Sequence, residues 1–209
     1  MKVTETIKIE KGLTEEAIAR CAEVIKAGGV IVYPTDTYYG LGADPRNHRA
    51  VGKVFDIKGR KADQPILVLL HDRKELAAWT SAVSSAAEGL MDRFWPGPLT
   101  LVFKARPEVL SELTGGTGTI GIRIPGREMT RALIGWAGNA LTGTSANRSG
   151  SSSPRNVDEV IRELGDRVDL VLDGGVSSAD LPSTIVDVTS EQPRIIRSGA
   201  VDVSGILTF

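Results

Sequence analysis

Short β-rich runs that stop at proline, glycine or clustered hydroxyls, and that alternate with helical stretches, most constrain the fold of this chain. Val30 to Tyr33 is one such run and ends at Pro34. Ile66 to Leu70, Leu99 to Phe103, Ile120 to Ile124 and Ala140 to Gly143 are others. Val168–Leu172, Thr184–Val188 and Arg194–Arg197 complete the series, with an alternating strand at Val3 to Ile9. Continuous apolar runs of this length suit strands buried on both faces. Between them apolar residues recur at helical spacing: Ala17, Ile18, Cys21, Ala22 and Ile25 behind an N-cap at Thr14, then Arg49–Ile57 and Glu128–Trp136. Further helical patches are expected around Arg73–Trp79 and Ser84–Phe94, and from a cap at Asn156 through Leu164. Strands alternating with helices predict an α/β domain on a large sheet.

The 209 residues suit one domain and can bury a large core without staples. A net charge of −1 supplies no overall field to hold a nucleic-acid backbone, so any anion site must be local. Cys21 is the only cysteine, which excludes an internal disulfide framework and points to a reducing compartment, the cytoplasm by default. The polar start resembles no signal peptide, and no apolar stretch is long enough to span a membrane.

Three polar loops border these strands. The first is Pro34-Thr35-Asp36-Thr37-Tyr38-Tyr39-Gly40-Leu41-Gly42, in which hydroxyls follow a strand-ending proline. Its glycines allow close backbone approach to a ligand, although such turns also serve only to satisfy their own backbone. The second, Lys58 to Pro65, carries Lys58, Arg60 and Lys61 between a helix and a strand. If this segment is extended, Lys58 and Arg60 point the same way. A point charge beside a planar fork suits phosphate or carboxylate, and helix capping or a solvated face is the plainer alternative. The third runs from Thr142 through Asn147 and Arg148 to Pro154, dense in hydroxyls and amides, and could form an anion nest. Walker, G-x-S-x-G and H-E-x-x-H signatures are all missing, and only His48 and His71 exist, both read as surface residues.

Together the segments GGVIVYPTDTYYGLG, FDIKGRKADQPILVLL, FWPGPLTLVF, GTIGIRIP, TSANRSGSSSP, STIVDV and IIRSG resemble the YrdC/TsaC family of threonylcarbamoyl-adenylate synthases, in the family's order and over almost the whole chain. The resemblance implies an α/β single domain over residues 1–209, with a large twisted, mostly parallel or mixed sheet flanked by helices around a deep basic cavity. It implies a reaction in which threonine, bicarbonate and ATP yield threonylcarbamoyl-AMP and pyrophosphate, for modification of adenosine in tRNA. ATP is then a substrate, and Mg²⁺ travels on its triphosphate. No protein-held metal is expected.

Motif by motif, the resemblance implies that Lys58, Arg60, Ser145 and Asn147 surround the reacting groups. Arg60, Gln64, Thr119, Ser145, Ser153 and Arg197 match nucleotide contacts, and Thr37, Arg123 and Ser183 match threonine contacts. Arg123 is the expected clamp on threonine's carboxylate. Three positions depart from the pattern: Lys61 replaces a proline, Gln64 an asparagine, and Leu69 lies where many members carry a histidine. The chain is expected to be of the short, single-domain type, with other proteins completing the transfer to tRNA and with weak or no direct tRNA binding. Two other readings stand beside this one: an RNA-binding translation or ribosome-assembly factor, and carbamoyl chemistry on another amine.

Overall fold

In the computed structural model, residues 4–9, 12–177 and 179–206 are described. Val3, the start of the first predicted strand, lies outside them. The chain runs β1 (Glu5–Lys8), α1 (Glu15–Lys26), β2 (Ile31–Tyr33), β3 (Gly40–Gly42), α2 (His48–Lys58) and β4 (Leu67–Leu70). It continues through α3 (Ser85–Phe94), β5 (Leu99–Lys104), α4 (Ser111–Thr114), β6 (Thr119–Arg123), α5 (Glu128–Trp136) and β7 (Ala140–Ser145). It closes with α6 (Val157–Leu164), β8 (Leu170–Asp173), β9 (Thr184–Asp187) and β10 (Arg194–Arg197).

The strands form one 10-stranded sheet in the order β1-β8-β2-β3-β7-β4-β6-β5-β9-β10. The sheet is mixed. β1, β8 and β2 run parallel, as do β4 with β6 and β5 with β9. β3 and β7 are antiparallel to their neighbours on both sides, and β10 closes antiparallel on β9.

Caps set the helix starts. Thr14 Oγ1 accepts from Ala17 N at 3.2 Å, and Asn156 Oδ1 accepts from Glu159 N at 2.9 Å, as their positions predict. Asn47 does the same for α2, accepting from Arg49 N and Ala50 N.

Alternation along each strand divides the core in two. Val68 and Leu70 of β4 join the larger cluster with Val51, Val54, Leu90, Met91 and Val160 from the helices on that face. Leu69 faces the other way, into a smaller cluster with Cys21 and Ile25 of α1 and Leu133 and Ile134 of α5. Burial pushes the Cys21 thiol up to about 12, so it is a packed apolar group and not a thiolate.

Some expectations require correction. The loop after Pro34 contains a strand, β3, because its Gly40-Leu41-Gly42 segment hydrogen-bonds to both β2 and β7. The glycines are what permit it. A Cβ on Gly42 would sit 2.5 Å from Tyr33 Cε1, and one on Gly40 3.0 Å from Tyr33 Cζ. β7 extends beyond Gly143 to Ser145 because Thr144 and Ser145 pair with Leu41 and Gly40. The helical patch expected around Arg73 is a 3₁₀ helix, Arg73–Ala78, and Ser111–Thr114 adds a one-turn helix. His71 is half-buried, with Nδ1 2.8 Å from the Arg131 carbonyl, and only His48 is a surface residue.

Candidate active site

The face of the sheet that carries α1 and α5 is uncovered farther along, over β7, β4, β6, β5 and β9. There a cavity of about 420 Å³ opens. Its floor is apolar. Leu67 and Leu69 of β4 lie between Gly121 of β6 and Gly143 of β7, and a Cβ on Gly143 would be 2.7 Å from Leu69 Cγ. Leu69 and Arg123 are register partners on parallel strands, so both side chains rise from one face and both line the cavity. The cavity's charged lining is Arg60, Arg123 and Arg197, with no carboxylate among the described residues.

A second cavity of about 350 Å³ adjoins the first. Lys58, Arg60, Asp63, Gln64, Ser145, Asn147, Ser149 and Gly150 line it, and Arg60, Pro65 and Ser145 belong to both cavities. The residues singled out from sequence therefore fall in one connected region. Thr37, Thr119, Arg123, Ser153, Ser183 and Arg197 line the larger cavity, Lys58, Gln64 and Asn147 the smaller, and Arg60 and Ser145 both.

Lys58 and Arg60 do not converge through a shared strand parity. Lys58 is the last residue of α2, and Gly59 follows at φ 58°, a left-handed cap that turns the chain. Lys58 thereby points into the loop after β7. Its Nζ donates to the Ser145 carbonyl at 2.6 Å, the Asn147 carbonyl at 2.8 Å and Asn147 Oδ1 at 3.3 Å. The backbone returns the contact, with Ser149 N donating to the Lys58 carbonyl at 2.8 Å. The side chain is buried and no carboxylate pairs with it among the described residues. Burial, with Arg60 nearby, lowers its pKa to about 8.

Arg60 folds back on its own loop, Nε to the Gln64 carbonyl at 3.1 Å and Nη2 to the Pro65 carbonyl at 2.8 Å. Burial lowers its pKa also. Ser145 Oγ donates to Asn147 Oδ1, and Asn147 Nδ2 donates to the Ser151 carbonyl, so this loop is tied to itself as well as to Lys58.

Arg123 is 5% exposed. Its Nε donates to the Gly97 carbonyl at 3.0 Å, its Nη1 to Thr37 Oγ1 at 3.1 Å, and its Nη2 to Asp36. That carbonyl lies in the Trp95-Pro96-Gly97-Pro98 turn. Burial pulls the Arg123 pKa down and Asp36 opposes this. Thr37 is set by Thr35, whose Oγ1 lies 3.0 Å from both Thr37 Oγ1 and Thr37 N, and by Ser177 Oγ, which donates to the Thr37 carbonyl. On the far wall Arg197 donates through Nε and Nη2 to the Ser183 carbonyl and through Nη2 to Ser183 Oγ at 3.1 Å, while Thr100 Oγ1 lies 3.0 Å from the same Oγ.

Sequence reasoning missed Asp36, Ser177 and the Gly97 carbonyl. The signal for Asp36 was available: an arginine buried in a strand is usually paired, and Asp36 follows β2 by three residues. Ser177 and Gly97 meet the site only through tertiary packing.

A family model for Sua5/YciO/YrdC, described as telomere recombination, matches residues 23–199. The chain belongs to this family. A Bacillus subtilis threonylcarbamoyl-AMP synthase is 35% identical over 193 residues, covering 92% of this chain and 56% of that protein. A threonylcarbamoyl-AMP synthase of Thiobacillus denitrificans is 37% identical over 166 residues, covering 79% of this chain and 88% of the relative. Sua5 of P. abyssi, solved in complex with L-threonine, superposes with a TM-score of 0.93 at 33% identity, covering 97% of this chain and 60% of that one. The chain thus spans little more than half the length of some relatives it matches and most of the length of others. The fold, α/β on a mixed sheet, is shared with that Sua5 structure. No helix among the described residues is long and apolar enough to cross a membrane. No group of three or more His, Cys, Asp or Glu residues is placed to hold a metal among them.

Proposed function

We propose that this member of the Sua5/YciO/YrdC family is a threonylcarbamoyl-AMP synthase acting in the cytoplasm on L-threonine, bicarbonate and ATP. The observation that carries the reading is the pair of adjoining cavities. The larger joins an apolar floor to three arginines, the smaller holds a buried lysine that no carboxylate pairs with among the described residues, and both share Arg60 and Ser145.

Threonine's carboxylate lies against Arg123, with Thr37 and Ser183 at its hydroxyl and amine. Its amine attacks bicarbonate carbon, and water leaves to give the carbamate. A carbamate oxygen then attacks the α-phosphorus, the bond to the β-phosphate oxygen breaks, and pyrophosphate departs. Arg60, Gln64, Thr119, Ser153 and Arg197 hold the nucleotide. Lys58, Arg60, Ser145 and Asn147 bracket the reacting phosphate, where negative charge accumulates. Fixed cations and donors that need no reorganisation lower the barrier to such a step, and no dedicated base is required once the carbamate has formed. Mg²⁺ enters with ATP as part of the substrate. Transfer to tRNA belongs to other proteins, and the net charge of −1 fits weak or no direct tRNA binding.

The test is pyrophosphate release by the purified chain, with each of ATP, threonine and bicarbonate omitted in turn. Release that requires all three supports the reading. Release independent of threonine, or none at all from folded protein, refutes it.

A further inference from the structure

The two most buried cations of the site are treated differently by the fold. Lys58 has only neutral oxygens around its ammonium. Arg123 has a carboxylate: Asp36, itself 17% exposed, takes the Nη2 donor. With Nε on Gly97 and Nη1 on Thr37, three donors are committed on three different partners. A guanidinium carries five N–H groups, so two remain, and Arg123 lines the cavity whereas Asp36 does not.

Asp36 has little else to do. Its Oδ2 is buried without a hydrogen-bond partner among the described residues and faces Gly126, where an added Cβ would lie 2.9 Å from it. A carboxylate that leaves one oxygen unsatisfied in the interior pays desolvation with a single ion pair in return. That arrangement is costly for stability alone. It makes sense if orientation of the arginine is what is gained.

We propose that Asp36 is a positioning residue for amino-acid recognition, fixing the plane of the Arg123 guanidinium so that its two uncommitted N–H groups stand ready for the substrate's carboxylate. This rests on the reading of threonine as substrate. Without Asp36 the fork turns about its remaining contacts, and ligand binding must then order it. Asp36 also repels a carboxylate ligand through its charge, and the two effects have opposite signs. Orientation is the larger of the two.

The experiment is calorimetric titration of L-threonine and, separately, ATP into the whole chain, with folding followed by near-ultraviolet circular dichroism. Asp36→Asn keeps size and an oxygen acceptor, and it carries the test if Asp36→Ala fails to fold. Asp36→Asn is expected to weaken threonine binding about 10-fold while leaving ATP within about twofold, the range seen when an orienting partner is lost. In an Arg123→Lys background, where there is no plane to fix, Asp36→Asn should change threonine binding by less than about twofold. Unchanged or tighter threonine binding in Asp36→Asn overturns the proposal, as does an equal loss for ATP or an equal loss in the lysine background. Failure of the unaltered chain to bind threonine overturns the substrate reading and this proposal with it.

Discussion

Lys58 is held in the protein interior by three oxygens, with no carboxylate partner among the described residues. Its pKa falls from 10.5 to about 8, so the unfolded chain binds the proton more tightly than the folded one. Between those values stability contributed by this group rises with pH, and at neutral pH burying the ammonium costs on the order of 3 kcal/mol. A cost of that size, kept next to a polar cavity, is what an anion site looks like before its ligand arrives. Two outcomes follow at this scale. Lys58→Ala should lower adenylate formation by about 10²- to 10³-fold, as when one donor to a developing oxyanion is lost, measured as kcat by pyrophosphate release. With threonine and bicarbonate saturating, kcat/KM for ATP should fall as pH rises above about 8, because the lysine then loses its charge. Lys58→Arg should move that fall to higher pH, since a guanidinium stays protonated. An alkaline limb unchanged by the substitution would show that another group titrates there.

Among the elements, β3 explains most about how the site is framed. Three residues long, it turns the sheet antiparallel between β2 and β7 and brings the hydroxyl loop of Thr35 and Thr37 to the cavity. Tyr33 lies against Gly40 and Gly42, with its Oη donating to the Thr142 carbonyl at 2.8 Å. Gly42→Ala should therefore destabilise the fold by about 1–3 kcal/mol, the usual cost of overpacking a filled interior, measured by urea unfolding. Asn156→Ala should cost about 1 kcal/mol by removing the α6 cap. The long, strongly periodic elements were legible in the sequence: α1 with its Thr14 cap, α5 at its predicted bounds, and the β-branched run of β2. β3 was not, because Gly-Leu-Gly carries no strand propensity and gains its pairing from strands distant in sequence. The joint placement of Lys58 and Arg60 was legible as charge but misread as geometry, since the left-handed turn at Gly59 replaces the extended chain that parity assumed. Arg123 was legible from its motif, whereas the partners that fix it come from a turn and a loop that only the folded sheet brings together.

Across the whole molecule, helices α2, α3 and α6 pack on one sheet face, and the larger cavity of the candidate site opens on the other, beyond α1 and α5. Every charged side chain lining the larger cavity is an arginine, although the chain as a whole is nearly neutral. Positive charge is thus concentrated where the proposed reaction would bring two anionic substrates together. ATP should raise the melting temperature of the protein in proportion to the logarithm of its concentration above Kd, and Arg60→Ala should weaken that response. The identity of the reaction is tested most directly by supplying bicarbonate with heavy carbon, together with threonine and ATP, and weighing the product. A threonylcarbamoyl-adenylate that carries the heavy carbon and forms in step with pyrophosphate is the expected product. An adenylate without that carbon, or pyrophosphate release with no such product, would contradict it.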